Sequence, residues 1–300
     1  MKHSGLYLSG IRLMSQSAVC FSLMALCVKC VSGELPPIEI VFFRSFFGML
    51  LVLPFLFRGQ ASFWGAEHGK LIARGVSGCL ALLLHFYTIA KMELGMAIML
   101  NYTAPIFAVI LSIFFLNERP SPTLFFLILM SFTGVVLLTS HYGMSWRPEV
   151  WLALLSSVFA AIAYVSIRTI KHRESPFTII FYFTLISTLA SLFFTRGWKW
   201  PGLGASFLLT GVVIFSFYGQ LWMTTAIRRA PAYLVTPFSY LHPVLSFGYG
   251  WLLWGEMITR NTVLGILLII ASGCLISYLE TRKRAFKEPI PASLSNESCL

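Results

Sequence analysis

The chain has 300 residues, 57% of them hydrophobic and only 11% charged, with a mean hydropathy of +0.80. A water-facing surface needs far more polar side chains, so composition excludes a soluble globular domain and asks for lipid surroundings. The net charge of +11 rests on basic residues dispersed between apolar runs, with no compact basic face and no interleaved stacking aromatics, which speaks against a nucleic-acid partner.

A spanning helix takes about 20 apolar residues at 1.5 Å per residue. In chain order, ten such segments are expected near 12–31, 38–57, 70–90, 96–116, 122–140, 150–169, 177–195, 204–225, 233–254 and 261–279. Turn and charge signals separate them, among them Gly33-Glu34-Leu35-Pro36-Pro37, Arg58-Gly59-Gln60, Glu118-Arg119-Pro120, Lys171-His172-Arg173-Glu174 and Arg228-Arg229. The first segment follows a short basic start. It is too long for a signal peptide and lacks an A-x-A site, so it reads as a span. Within it, Cys27 and Cys30 form a lone CxxC with no second pair and no His partner, which reads as two buried small apolar residues.

With the N-terminus in the cytoplasm, the inside loops collect Arg58, Lys70, Arg74, Arg119, Arg168, Lys171, Arg173, Arg228, Arg229 and the Arg282–Lys287 cluster. The outside loops hold only Lys29, Lys91, Arg147, Arg196, Lys199 and Arg260. That asymmetry follows the positive-inside rule and places both termini in the cytoplasm, the setting being a bacterial inner membrane. Residues 282–300 read as a solvated, partly disordered basic-then-polar tail that touches anionic lipid.

The two halves match at a near-constant offset. At 138 residues Tyr102 meets Tyr240, Pro105 meets Pro243 and Glu118 meets Glu256; at 139, Lys29 meets Arg168 and Pro37 meets Pro176. Five spans per half is odd, so the second half enters the membrane from the opposite side. The expected fold is therefore an all-α integral membrane protein of ten transmembrane helices in two inverted five-helix repeats, 1–143 and 144–281, with the tail 282–300. Inverted repeats are typical of secondary transporters, whose sites lie at the repeat interface near the midplane.

The segments Phe43-Arg44-Ser45-Phe46-Phe47-Gly48, Asn101-Tyr102-Thr103-Ala104-Pro105 through Glu118-Arg119, and Tyr240-Leu241-His242-Pro243 through Gly255-Glu256 carry a further likeness. Over about 12–280 the chain resembles the drug/metabolite transporter superfamily, in its EamA-type branch. That resemblance implies a carrier of amino acids, nucleotide-like cofactors, vitamins or lipophilic compounds. It also implies a central cavity bordered by the first, third, fourth, sixth, eighth and ninth spans.

Several residues are candidates for that cavity. A proline inside a helix cannot donate to the carbonyl four residues back, so Pro105 and Pro243 kink the fourth and ninth spans and free the carbonyls of Asn101 and Ser239. Each freed acceptor is followed by a phenol, Tyr102 or Tyr240, and such groups face protein or a water-lined cavity. Arg44 lies two turns into the second span, opposite Phe183 in the repeat; a cation at that depth is a functional candidate by default, or it snorkels to the interface. His85, Tyr87, Tyr164, Gln220, Trp222 and His242 are further polar or amphipathic groups inside apolar runs, from which two or three are expected to line the path. Glu118 and Glu256 close the fourth and ninth spans and read as gates or as solvated helix ends. No carboxylate sits mid-span, so a relay on a buried Asp or Glu is not expected.

The function read from these features is secondary transport of a small amino-acid-, nucleotide- or vitamin-like metabolite by alternating access. Arg44 and the helix ends favour an anionic or zwitterionic group on the substrate. The partners are that substrate and the bilayer; a homodimer stays open, and no cofactor or metal is expected. The rivals are an intramembrane enzyme and a channel or receptor without active transport. Gly75-Val76-Ser77-Gly78 with His85 suggests a serine protease, but eight residues on one helix separate the two backbones by about 12 Å, beyond the reach of a nucleophile and its base.

Overall fold

The computed structural model describes the chain apart from residues 1, 60–61, 105, 109, 112–121, 141–146, 171–173, 195–196, 230–231 and 288–300. The regular elements among the described residues are all helices: α1 Lys2–Val31, α2 Pro37–Phe57, α3 His68–Lys91, α4 Leu94–Asn101, α5 Pro122–Ser140, α6 Pro148–Thr169, α7 Pro176–Phe194, α8 Leu203–Arg229, α9 Ala232–Ser239, α10 Leu241–Trp254 and α11 Arg260–Lys287. Prolines open α2, α5, α6 and α7, where the missing N–H is one the first turn leaves unpaired anyway.

Six stretches are long and apolar enough to cross a membrane: Leu8–Val31, Pro37–Phe57, His68–Lys91, Pro148–Ser166, Pro176–Phe194 and Leu203–Ala226. Leu94–Ala108, Phe125–Leu138 and Arg260–Ile276 are apolar but shorter. The ninth expected span, 233–254, is two helices, because the helix breaks at Tyr240 (φ −68°, ψ −7°). The fourth breaks at the matching Tyr102 (φ −71°, ψ 1°), where the Thr103 N–H turns back to Leu100 O at 3.1 Å in a tightened turn. The breaks thus fall three residues before each proline. Pro243 sits third in α10, a first-turn position where proline fits, whereas Pro105 lies outside the described residues.

Two expectations are corrected here. The basic stretch Arg282–Lys287 is not loose chain: α11 continues through it, since Glu280 to Lys287 holds good helix formers and the first proline comes at Pro289. The remainder of the tail, 288–300, lies outside the described residues. Cys30 is exposed and Cys27 only half-buried, both as free thiols, because the face of α1 that packs inward carries Met24, Ala25 and Val28 instead.

The helices associate in a regular pattern. α1 runs along α8 as α3 runs along α6, while α2 packs on α7, α4 on α10 and α5 on α11. Small residues make these contacts close, as they must where lipid offers no hydrophobic drive. A Cβ on Gly134 of α5 would stand 2.9 Å from Gly265 O of α11, and one on Gly265 only 2.6 Å from Gly134 O. Ser17 of α1 donates to Gly219 O of α8 at 2.7 Å. Carboxylates tie down the loops at both ends: Glu39 at the start of α2 accepts the Lys199 N–H at 3.2 Å, and Glu174 before α7 accepts the N–H groups of Ala66 and Glu67.

Candidate functional site

The two helix breaks meet at the centre of the bundle. The rings of Tyr102 and Tyr240 lie 5.3 Å apart, and that of His242 is 5.5 Å from Tyr102. Because Pro243 has no N–H, the Ser239 carbonyl lacks its helical donor. The Tyr102 hydroxyl, from the other half of the chain, donates to it at 2.9 Å and lies 3.3 Å from His242 Nδ1. His242 is also 6.1 Å from the Phe21 ring of α1, and its Nε2 is buried without a protein partner. Tyr240 differs from its counterpart. Its ring is only 3% exposed, its hydroxyl has no protein hydrogen-bond partner, and it abuts Gly273, where a Cβ would stand 1.8 Å from that oxygen.

Around this centre a polar scaffold fixes the backbone. Asn101 Nδ2 donates to Ser156 Oγ at 2.9 Å, and Ser156 in turn donates to Ala81 O at 2.8 Å, so one chain of bonds joins α4, α6 and α3. Thr103 Oγ1 stands 3.0 Å from Ser157 Oγ. Asn101 is therefore held as an anchor of the break. His85 of α3 is half-buried, with Nδ1 lacking a protein partner. Tyr164 of α6 is 40% exposed.

The guanidinium of Arg44 does not snorkel. The residue is 4% exposed, and its charge sits 5.1 Å from the centroid of the Phe183 ring. A second cation that sequence reading had assigned to the inner loops, Arg74, stands 4.9 Å from the same ring. It lies over Gly78, where a Cβ would be 2.1 Å from Arg74 Nη1. The available signal was Gly78, one turn past Arg74 on the same face of α3. Gln220 shares with Arg44, Gly48, Phe183, Thr184 and Ser216 a narrow crevice of about 10 Å³, room for one water.

Other candidates lie apart from this centre. Tyr87 is an exposed residue on α3, and Trp222 pairs with Tyr218 one turn away on α8, rings 5.4 Å apart. Ser77 donates to Ala73 O at 2.7 Å within its own helix, which accounts for the hydroxyl without catalysis. Pro105 and Glu118 lie outside the described residues.

Glu256 joins the end of α10 to the start of α4. α10 stops at Gly255 in the left-handed region (φ 63°), and this turn swings Glu256 over the start of α4. There its Oε1 accepts the Leu94 N–H at 2.8 Å, where the exposed amides of a helix N-terminus favour a carboxylate. Burial nevertheless pushes the Glu256 carboxyl up, with Glu93 adding to the rise and the bonds to α4 and the charge of Lys29 opposing it. Lys29 Nζ meanwhile donates to Met92 O. Inward of this cap every residue from Leu94 to Leu100 is buried, and Gly95 lets the Phe247 ring of α10 press against the α4 backbone. Outward lies a cavity of about 430 Å³ lined by Lys29, Lys91, Met92, Glu93 and Trp254–Met257.

Comparison with known proteins adds three findings. The family described as "EamA-like transporter family" matches residues 8–140 and again 147–278. Among curated relatives, the pseudopaline exporter CntI of Pseudomonas aeruginosa is 33% identical over 276 residues, covering 90% of this chain and 96% of the relative. The S-adenosylmethionine uptake transporter of Rickettsia conorii is 24% identical over 281 residues, covering 92% and 95%. A solved crystal structure aligns with a TM-score of 0.62 at 18% identity, over 92% of this chain and 98% of the other, a likeness of fold.

Proposed function

The chain belongs to the EamA-like transporter family, and from that premise we infer that this small-molecule transporter carries a metabolite through a bilayer by alternating access. The carrier is read as ten spans in two inverted five-helix repeats. The fourth span is α4 with the helical turns after Tyr102, the ninth is α9 with α10, and α5 and α11 are the fifth and tenth. The packing supports the inversion. Exchanging each span for its partner five places on turns the α1–α8 contact into the α6–α3 contact and leaves α2–α7, α4–α10 and α5–α11 unchanged. Matched residues also touch, Tyr102 with Tyr240 and Arg44 with Phe183, as equivalent positions do where a two-fold axis passes.

The observation that carries the reading is the bond from the Tyr102 hydroxyl to the Ser239 carbonyl. Each half breaks a helix at the same place, and the phenol of one half occupies the acceptor that a proline frees in the other. Broken helices with backbone acceptors at the repeat interface are where carriers hold their cargo. Tyr102, Tyr240, His242, His85, Tyr164 and Arg44 form the proposed lining. The buried α4–α10 contact is the closed gate, with Glu256 as its latch, and in the other state the halves rock apart there. The setting is a bacterial inner membrane with both termini cytoplasmic, which makes the Glu256 end the outer one.

Reconstitution tests this. Vesicles bearing the chain should take up or release a metabolite that empty vesicles retain. Tyr102→Ala and Tyr240→Ala should impair that movement while leaving the protein folded and inserted, with a lower unfolding temperature because each loses buried contacts. Product formation without movement would make it an enzyme, and undiminished transport in both variants would take the tyrosines out of the site.

A further inference from the structure

The chemistry between α2, α3 and α7 is unbalanced in charge. Arg44 Nε and Nη1 and Arg74 Nε are buried without hydrogen-bond partners. Among the described residues, no ion pair joins either guanidinium to a carboxylate. A guanidinium does not shed its proton, so both sites are cationic. Arg44 is 4% exposed and Arg74 part-buried, so withdrawing these charges from water is costly, most of all for Arg44. The Phe183 ring offsets only part of that cost. The fold nonetheless keeps this arrangement with evident specificity. Gly78 leaves the space that Arg74 Nη1 fills, and Phe183 serves both cations. Beside Arg44 the crevice is lined by the hydroxyl residues Thr184 and Ser216 and by the amide residue Gln220.

We propose that Arg44 and Arg74 together form the anion-binding subsite of the carrier, taking a carboxylate or phosphate group of the substrate beside the Phe183 ring when the one-water crevice at Arg44 widens as the halves rock. The planar fork of a guanidinium matches the paired oxygens of either group, and two forks with unused donors supply what a compact oxyanion needs. A bound carboxylate halves the charge of the pair and a doubly charged phosphate group cancels it, so the loaded site carries less charge than the empty one. This rests on the carrier reading of the same bundle and narrows its cargo to anionic or zwitterionic metabolites. Arg74 and Phe183 join Arg44 as its residues.

The test is thermal unfolding of the purified full chain with glutamate, succinate, citrate and inorganic phosphate, beside succinamide as the uncharged match of succinate. At least one oxyanion should raise the unfolding temperature, because a ligand of the folded state stabilises it, and succinamide should not. A carboxylate-only response identifies a carboxylate cargo, and a phosphate response a phosphorylated one. Arg44→Met with Arg74→Met should weaken that anion about 30-fold or more. The same variant without ligand should unfold no earlier than the parent, since two uncompensated charges are gone. A parent that responds to no oxyanion, or a double variant that keeps the response while losing ligand-free stability, would overturn the proposal and leave the pair a packing feature. Vesicle transport separates the two readings. Movement of solute without anion stabilisation defeats the subsite alone, whereas anion stabilisation without movement of any solute defeats the carrier and spares the subsite.

Discussion

Replacing Glu256 with alanine removes the acceptor that holds the start of α4 against the end of α10. The Leu94 N–H it leaves behind is fully buried, and an unpaired buried donor costs about 1–3 kcal/mol. Losing a carboxylate from a helix N-terminus adds about 0.3–1 kcal/mol. Against this runs the relief of no longer burying a carboxylate, which is 9% exposed here. A net of about 1–2 kcal/mol against the closed arrangement shifts the closed-to-open ratio about 5- to 30-fold. The assay is labelling by a membrane-impermeant maleimide of Met96→Cys, a residue 1% exposed on α4, in a chain whose native cysteines are replaced by serine or alanine. The labelling rate should rise by that same factor in Glu256→Ala and by less in Glu256→Gln, which keeps an acceptor oxygen. An unchanged rate in a Glu256→Ala protein that unfolds normally would show that the α4–α10 contact is held by apolar packing alone and that the latch assignment is wrong.

The pH dependence of stability follows from the raised Glu256 carboxyl. The native state holds this proton more tightly than the unfolded chain, so the group's contribution is full below the ordinary carboxylate range and falls as pH rises through the raised value. The difference in unfolding temperature between Glu256→Gln and the parent should therefore grow with pH across that window; a constant difference would refute it. Gly95→Ala places a Cβ 2.3 Å from the Phe247 ring, overpacking that costs about 1–3 kcal/mol. Maleimide access to Met96→Cys should rise, and adding Phe247→Leu should reverse it. The paired tyrosines should respond with opposite signs in thermal unfolding. Tyr102→Phe loses the bond to Ser239 O and should destabilise by about 1 kcal/mol. Tyr240→Phe removes a buried hydroxyl without a protein partner and should be neutral or stabilising.

Sequence made the two tyrosines visible because proline chemistry is local: a missing N–H frees one carbonyl wherever the chain goes, and the doubled Tyr-x-x-Pro spacing repeats that at a fixed offset. Sequence could not say that the Tyr102 hydroxyl would reach the Ser239 carbonyl of the opposite half, a contact across 137 residues. The placement of the breaks was also out of reach, since a proline three residues into a helix and one in its middle read alike. Asn101 shows the same limit in reverse. It is polar beside a freed carbonyl, yet its amide bonds Ser156, a partner that only packing identifies.

By itself the sequence determined the lipid environment, the helical class, the apolar segments and the carrier family, because these depend on summed composition and on spacings along one chain. Tertiary structure decided that Glu256 at the end of α10 holds the start of α4, and that Arg44 and Arg74 both approach one phenyl ring. Those facts depend on which faces of separate helices meet. Small residues such as Gly78, Gly95 and Gly273 set that meeting by the side chains they admit, and a glycine in a sequence does not name its visitor.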